Sequence, residues 1–137
     1  MPNEHGGPGE LSALPRAKFA YPGPLRDRLV AAILDGAKTA TTSLLADYER
    51  EGVALPESGA RSVVVDSADR PVAVIEVTSV RVVPLKDVDL AHVVAEGEAD
   101  ATVVAWRAAH ERFWRSGGST VDDRTLVVLE RFRLVVD

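Results

Sequence analysis

The 137-residue chain contains no cysteine, which rules out a disulfide framework, a thiolate nucleophile and a cysteine-ligated zinc site. Aromatic residues amount to only 5%, so the core has to be assembled from Val, Leu, Ile and Ala. The histidines His5, His92 and His110 lie far apart in the chain, and no metal site is expected from them. No apolar run approaches the roughly 20 residues of a membrane span, and the first twenty residues lack the basic start and apolar stretch of a signal peptide. The expectation is a cytoplasmic protein with no membrane partner. There is also no phosphate-binding glycine loop, no G-x-S-x-G, no H-E-x-x-H and no dinucleotide fingerprint. Nucleotide hydrolysis, triad chemistry on a nucleophile elbow and zinc proteolysis therefore lack support, and no cofactor is expected.

Positive charge is scarce as well. Sixteen bases against 21 acids leave a net charge of -5, which argues against a sequence-blind DNA coat held by many phosphate contacts. The deficit is concentrated in residues 47–100, with twelve acids and five bases. The flanking segments are each slightly basic, so a polyanion would approach through the ends of the chain.

What is present fits one domain. Residues 1–18 carry proline and glycine with little to bury and read as a flexible tail, leaving residues 19–137 as the folded unit. "PLRDRLVAAILDG" repeats Leu25, Leu29, Ala32 and Ile33 at helical spacing and stops at Gly36. "SLLADYEREG" is a second short helix with Thr42 or Ser43 as its N-cap and Gly52 as its stop. Three β-branched runs follow at 61–66, 71–83 and 125–136, the first two joined by a "SADR" hairpin. A turn or short helix after Pro84 and a firmer helix from Ala101 to about Arg115 separate the long strands, and a further strand is possible around Lys38 to Thr42. This order predicts an α+β domain on a small antiparallel sheet or partly closed barrel.

Candidate chemistry is sparse. Lys38 and Thr41 in "GAKTATTSL" share a face in a turn but oppose each other in a strand, so cooperation requires that residues 38–41 are not a regular strand. A lysine activates a hydroxyl only where burial or a nearby cation lowers its proton affinity; the other reading is an exposed lysine beside a capping threonine. "AEGEAD" clusters Glu96, Glu98 and Asp100. On the helix after Ala101, Arg107 and His110 fall within the stripe of Val103, Trp106, Phe113 and Trp114. There Arg107 either snorkels past Trp114 or reaches a carboxylate or phosphate, and His110 is read as a satisfied edge histidine. Alternation sets Glu76 and Glu130 on mostly apolar strand faces. If those faces are interior, Arg107, Arg131 or Lys38 should pair with them; if not, both glutamates are exposed.

Taken in order, "ILDGAKTATTSL", "VALPESGARSVVVDSADRPVAVIEVTSVRVVPLKDV", "AEGEAD", "WRAAHERFW" and "LERFRLVV" resemble the ASCH-domain family, in its small bacterial single-domain branch. The resemblance implies a PUA-like fold, a small β-barrel with helices around it, and an RNA-related role. One branch removes the acetyl group of N4-acetylcytidine with a lysine, a threonine and a glutamate. Its Lys-Thr-x-Thr motif looks like Lys38-Thr39-Ala40-Thr41, and its Ala-Glu-x-Glu motif looks like Ala95-Glu96-Gly97-Glu98. Carried over, Lys38 is the base, Thr41 the nucleophile and Glu98 an acid or orienting carboxylate. Beside these, Thr39, Arg107 and Glu76 are candidate substrate-binding side chains. The helix at 43–51 and "WRAAHERFW" depart from that branch and resemble one whose members include a ribonuclease acting on single-stranded RNA. The implied partner is single-stranded RNA or a modified nucleoside, to be cleaved or only bound; no protein partner is expected.

Overall fold

The computed structural model describes residues 13–98 and 100–135. Five strands form one sheet in the order β1-β3-β4-β5-β2: β1 Arg16–Ala17, β2 Ala40–Leu44, β3 Arg61–Val65, β4 Pro71–Pro84 and β5 Leu126–Leu134. Four α-helices accompany it among the described residues: α1 Pro24–Leu34, α2 Leu45–Glu51, α3 Leu90–Glu96 and α4 Val103–Ser116. A single 3-10 turn, Leu85–Asp87, follows β4.

The α+β expectation holds, but the sheet is neither purely antiparallel nor a barrel. β1 pairs parallel to β3, and the outermost strands β1 and β2 are not paired with each other. β1 comes from the segment read as a tail, and its two residues Arg-Ala carry no strand signature. It is held from elsewhere: the Val63 amide donates to the Pro15 carbonyl, and Arg16 pairs with Asp69. Residues 1–12 of the expected tail lie outside the described residues.

The β-branched runs form β3 and β4 as a hairpin, closed where the Asp66 carboxylate accepts from the Ala68 and Arg70 amides. Register shifts at Val64/Val65 and Val77/Ser79 bend the long β4, as bulges do by adding an unpaired residue. Two apolar clusters cover opposite faces of β5, because successive strand side chains alternate. Val127 and Leu129 pack with Leu44, Trp106 and Trp114, and Phe132 packs with Ile33, Val64 and Ile75.

Neither Thr42 nor Ser43 caps α2. β2 runs directly into the helix, Leu44 is the N-cap, and no side chain supplies a cap bond. The Thr42 hydroxyl is committed instead to α3, where it meets His92 and Glu96.

Candidate active site

The site forms where the chain leaves α1 and enters β2. Gly36, with φ +87°, turns the chain after α1, and the Thr39 amide then donates to the Ala95 carbonyl of α3 at 2.7 Å. Regular strand begins only at Ala40. Lys38 thus sits on irregular backbone just ahead of Thr41, and both side chains line one cavity.

Lys38 is directed inward. Its side chain is 1% exposed, and its ammonium lies 2.8 Å from the Glu98 carboxylate. It donates also to the Ala40 carbonyl at 2.7 Å and to the Glu96 carbonyl at 3.3 Å. Three acceptors match the three donors of an ammonium. The Glu96 carbonyl is free because a helix leaves its last carbonyls without intrahelical partners; α3 ends there, at Gly97 in the left-handed conformation. Gly97 is required twice over: its φ is +64°, and a Cβ on it would lie 2.3 Å from the Ala37 carbonyl oxygen.

Behind the lysine lies a second layer of charge. Glu96 and His92, one turn apart on α3, are fully buried. The Thr42 hydroxyl donates to Glu96 Oε2 at 2.5 Å, and His92 Nε2 lies 2.9 Å from the same oxygen. His110 of α4 donates through Nδ1 to the Trp106 carbonyl, which turns its Nε2 toward Glu96 Oε1 at 3.2 Å. That approach is an ion pair and not an aligned hydrogen bond, since Oε1 has no hydrogen-bond partner. Burial alone would raise Glu96, but His110, His92 and the charge of Lys38 outweigh it and hold the carboxyl well below its ordinary range. For His110, burial pulls downward, while Glu96, the Trp106 carbonyl and Glu98 overcome it and push the imidazole above 6.5. Glu98 is pushed up by burial and by the charge of Glu96, against the opposing pull of Lys38. One ligand atom each from Glu96, Glu98 and His110 fall within 4.8 Å of one another, close enough to share a cation. In the structure, the Lys38 ammonium stands against Glu98 and the His110 imidazole faces Glu96.

The cavity measures about 760 Å3, within the usual range for small-molecule sites. Its walls come from the segment before α1, α1 itself, β2, α2, β3, β4, α4 and β5, and Lys38, Thr41, Glu98, His110 and Glu130 all reach it. The remaining sequence candidates lie elsewhere. Thr39 donates to the Ala95 carbonyl and does not line the cavity. Arg107 faces a separate surface depression, paired with Glu111 at 2.9 Å and Asp123 at 2.6 Å. Glu76 belongs to a row across three strands, paired with Arg61 and Arg133. Those partners replace the Arg107, Arg131 or Lys38 foreseen for it, because cross-strand neighbours are nearest to a strand side chain. His92 and His110 are drawn together by Glu96 despite their separation in sequence. The i, i+4 spacing of His92 and Glu96 was the available signal.

Fold and site together define a small α+β domain with a buried lysine–glutamate pair opening on a ligand-sized cavity. The model of the ASCH domain matches residues 17–136, and the chain belongs to that family. It is similar to the crystal structure of an ASCH domain from Lactobacillus crispatus, at 27% identity and TM-score 0.79, over 92% of this chain and 82% of that one. It is also similar to protein EF3133 from Enterococcus faecalis, at 30% identity and TM-score 0.71, over 79% and 67% of the two chains. A third structure, of hypothetical protein PH0355, shares the fold at 14% identity and TM-score 0.55, over 80% and 93%. No curated protein matches the chain.

Two stability effects follow from this geometry. Gly97→Ala should lower the unfolding free energy by more than the 1–3 kcal/mol, roughly, of a strained backbone conformation, because the Ala37 backbone must also move; urea denaturation measures it, and an unchanged midpoint would contradict the packing. The His110–Glu96 pair favours the imidazolium, so its stabilisation is complete below about pH 6.5 and is lost as pH rises through the raised value in the folded state. The melting temperature of His110→Gln should therefore lack the decline that wild type shows above about pH 6.5, and parallel profiles would refute the pairing.

Proposed function

We propose that this ASCH domain hydrolyses the exocyclic amide of an N-acylated nucleoside, N4-acylcytidine being the chemistry that the Lys-Thr-x-Thr and Ala-Glu-x-Glu likeness suggests. The observation that carries the reading is the buried Lys38–Glu98 pair, 2.8 Å apart, on the same cavity wall system as Thr41. A hydroxyl becomes a nucleophile when a base stands ready to take its proton. Lys38 gains that capacity by passing a proton to Glu98, whose burial favours the neutral acid. The amine then accepts the Thr41 proton as Thr41 Oγ attacks the acyl carbon. Glu98 returns its proton to the departing exocyclic nitrogen, the C–N bond breaks, and water later cleaves the acyl-threonine ester.

The same features favour a nucleoside over an RNA strand. The cavity is of small-molecule size. Arg107, the side chain offered for a phosphate, is engaged by two carboxylates outside the cavity.

Purified protein incubated with N4-acetylcytidine should release cytidine and leave labelled single-stranded RNA intact. Lys38→Met and Thr41→Val should each reduce kcat/KM by about two to four orders of magnitude, the usual span for a lost proton-transfer partner, with folding checked by circular dichroism. Cytidine retained in a binding assay without any turnover would make the domain a reader, and RNA cleavage with intact nucleoside would replace the amide reaction.

A further inference from the structure

One cavity carboxyl takes no part in the reaction described above. Glu130 of β5 is the register partner of Thr41 on β2. Opposite residues of an antiparallel pair project from the same face with Cβ atoms about 4.5–5.5 Å apart, and both residues line the cavity. Glu98 is occupied by Lys38 and Glu76 by two arginines. Glu130, by contrast, has no hydrogen-bond or ion-pair partner among the described residues. Its chain neighbour Arg131 alternates to the other face, and Arg133 is committed to Glu76.

A half-buried carboxyl without a cation is poorly solvated as an anion, and a ligand that lets it bind as the neutral acid relieves that cost. Burial accordingly pushes Glu130 up, with no opposing positive charge. The other charged and titratable groups that share the cavity are Lys18, Tyr21, Lys38, Tyr48, Arg61, Glu98 and His110. Of these Tyr48, on α2, feels the charge of Glu130, and burial followed by that charge pushes its phenol up despite a hydroxyl contact with Ser43. None of them is bonded to Glu130.

Resting on the nucleoside reading, we infer that Glu130 reads the base: as the neutral acid it donates to the ring N3 of a cytosine and accepts the N4–H. The acyl carbon, N4, C4 and N3 are consecutive atoms in the ligand. A carboxyl directly across the ladder from Thr41 therefore falls beside N3 when the acyl carbon is at Thr41 Oγ. The ionised carboxylate would oppose the N3 lone pair, so binding takes up one proton.

The test is isothermal calorimetry with cytidine, which carries no acyl group, from about pH 5.5 to 8 in buffers of different ionisation heat. Wild-type affinity should fall by up to about tenfold per pH unit above the free carboxyl's pKa, with one proton bound per cytidine. Glu130→Gln offers the same donor and acceptor permanently; its affinity should be flat with pH, take up no proton and exceed wild type at the alkaline end. Glu130→Leu should bind at least about tenfold more weakly at low pH, a loss typical of one hydrogen-bonded contact, and should raise KM for N4-acetylcytidine more than it changes kcat. Melting curves check that both variants fold. A Gln variant as weak as Leu, or wild-type binding without pH dependence, overturns the inference. So does the absence of cytidine binding at every pH. Cytidine binding with this proton signature but no hydrolysis overturns the amide reaction alone. Hydrolysis whose KM ignores Glu130 overturns only the base-reading role.

Discussion

Lys38 carries its ammonium into the interior between the end of α3 and the start of β2, and three oxygens must meet it there. A buried charge left unpaired is among the most costly features a fold can contain. Much of the local architecture answers that demand. α3 terminates where its last carbonyl can accept from Nζ, Gly97 lets the two backbones touch, and the Ala40 carbonyl at the start of β2 accepts as well. Glu96, held ionised by His110 and His92, adds negative charge behind the lysine, while Glu98 closes the side toward the cavity. The Lys38 ammonium is thus paired with Glu98, and the His110 imidazole faces Glu96, so that no carboxylate of the cluster is left without a basic neighbour.

That balance sets what the site can do chemically. A lysine whose three N–H groups all donate has no free lone pair with which to act as a base. It becomes one only by exchanging a proton with a neighbour, and Glu98 is the neighbour whose burial favours taking it. The partial exposure of Glu98, 25% against 1% for Lys38, puts the exchange at the cavity wall where a ligand arrives. Thr41 and Glu130, register partners on adjacent strands, bring a hydroxyl and a carboxyl to the same cavity.

Much of this was legible in the chain. The β-branched runs mark β3, β4 and β5, helical periodicity and terminal glycines mark α1, α2 and α4, and the two short motifs name Lys38, Thr41 and Glu98. What escaped was set by tertiary contact. β1 is strand only because β3 offers its edge, and so the sheet is mixed and open instead of a partly closed barrel. Thr42 looks like a cap by residue type, yet α3 takes its hydroxyl. Arg107 and Glu76 looked like pocket groups from periodicity, which assigns a face but cannot say that Glu111, Asp123, Arg61 and Arg133 stand closer. The convergence of His92 and His110 on Glu96 depends on the packing of two helices and leaves no sequence trace beyond one i, i+4 pair.

The proposed reaction depends above all on Thr41 Oγ as the attacking atom. Rapid-quench digestion and mass spectrometry of the protein mixed with N4-acetylcytidine test this directly. One acetyl group should appear transiently on the Thr41 peptide in wild type and none in Thr41→Val. Turnover without any acetyl on that peptide, or turnover undiminished in Thr41→Val, would contradict it.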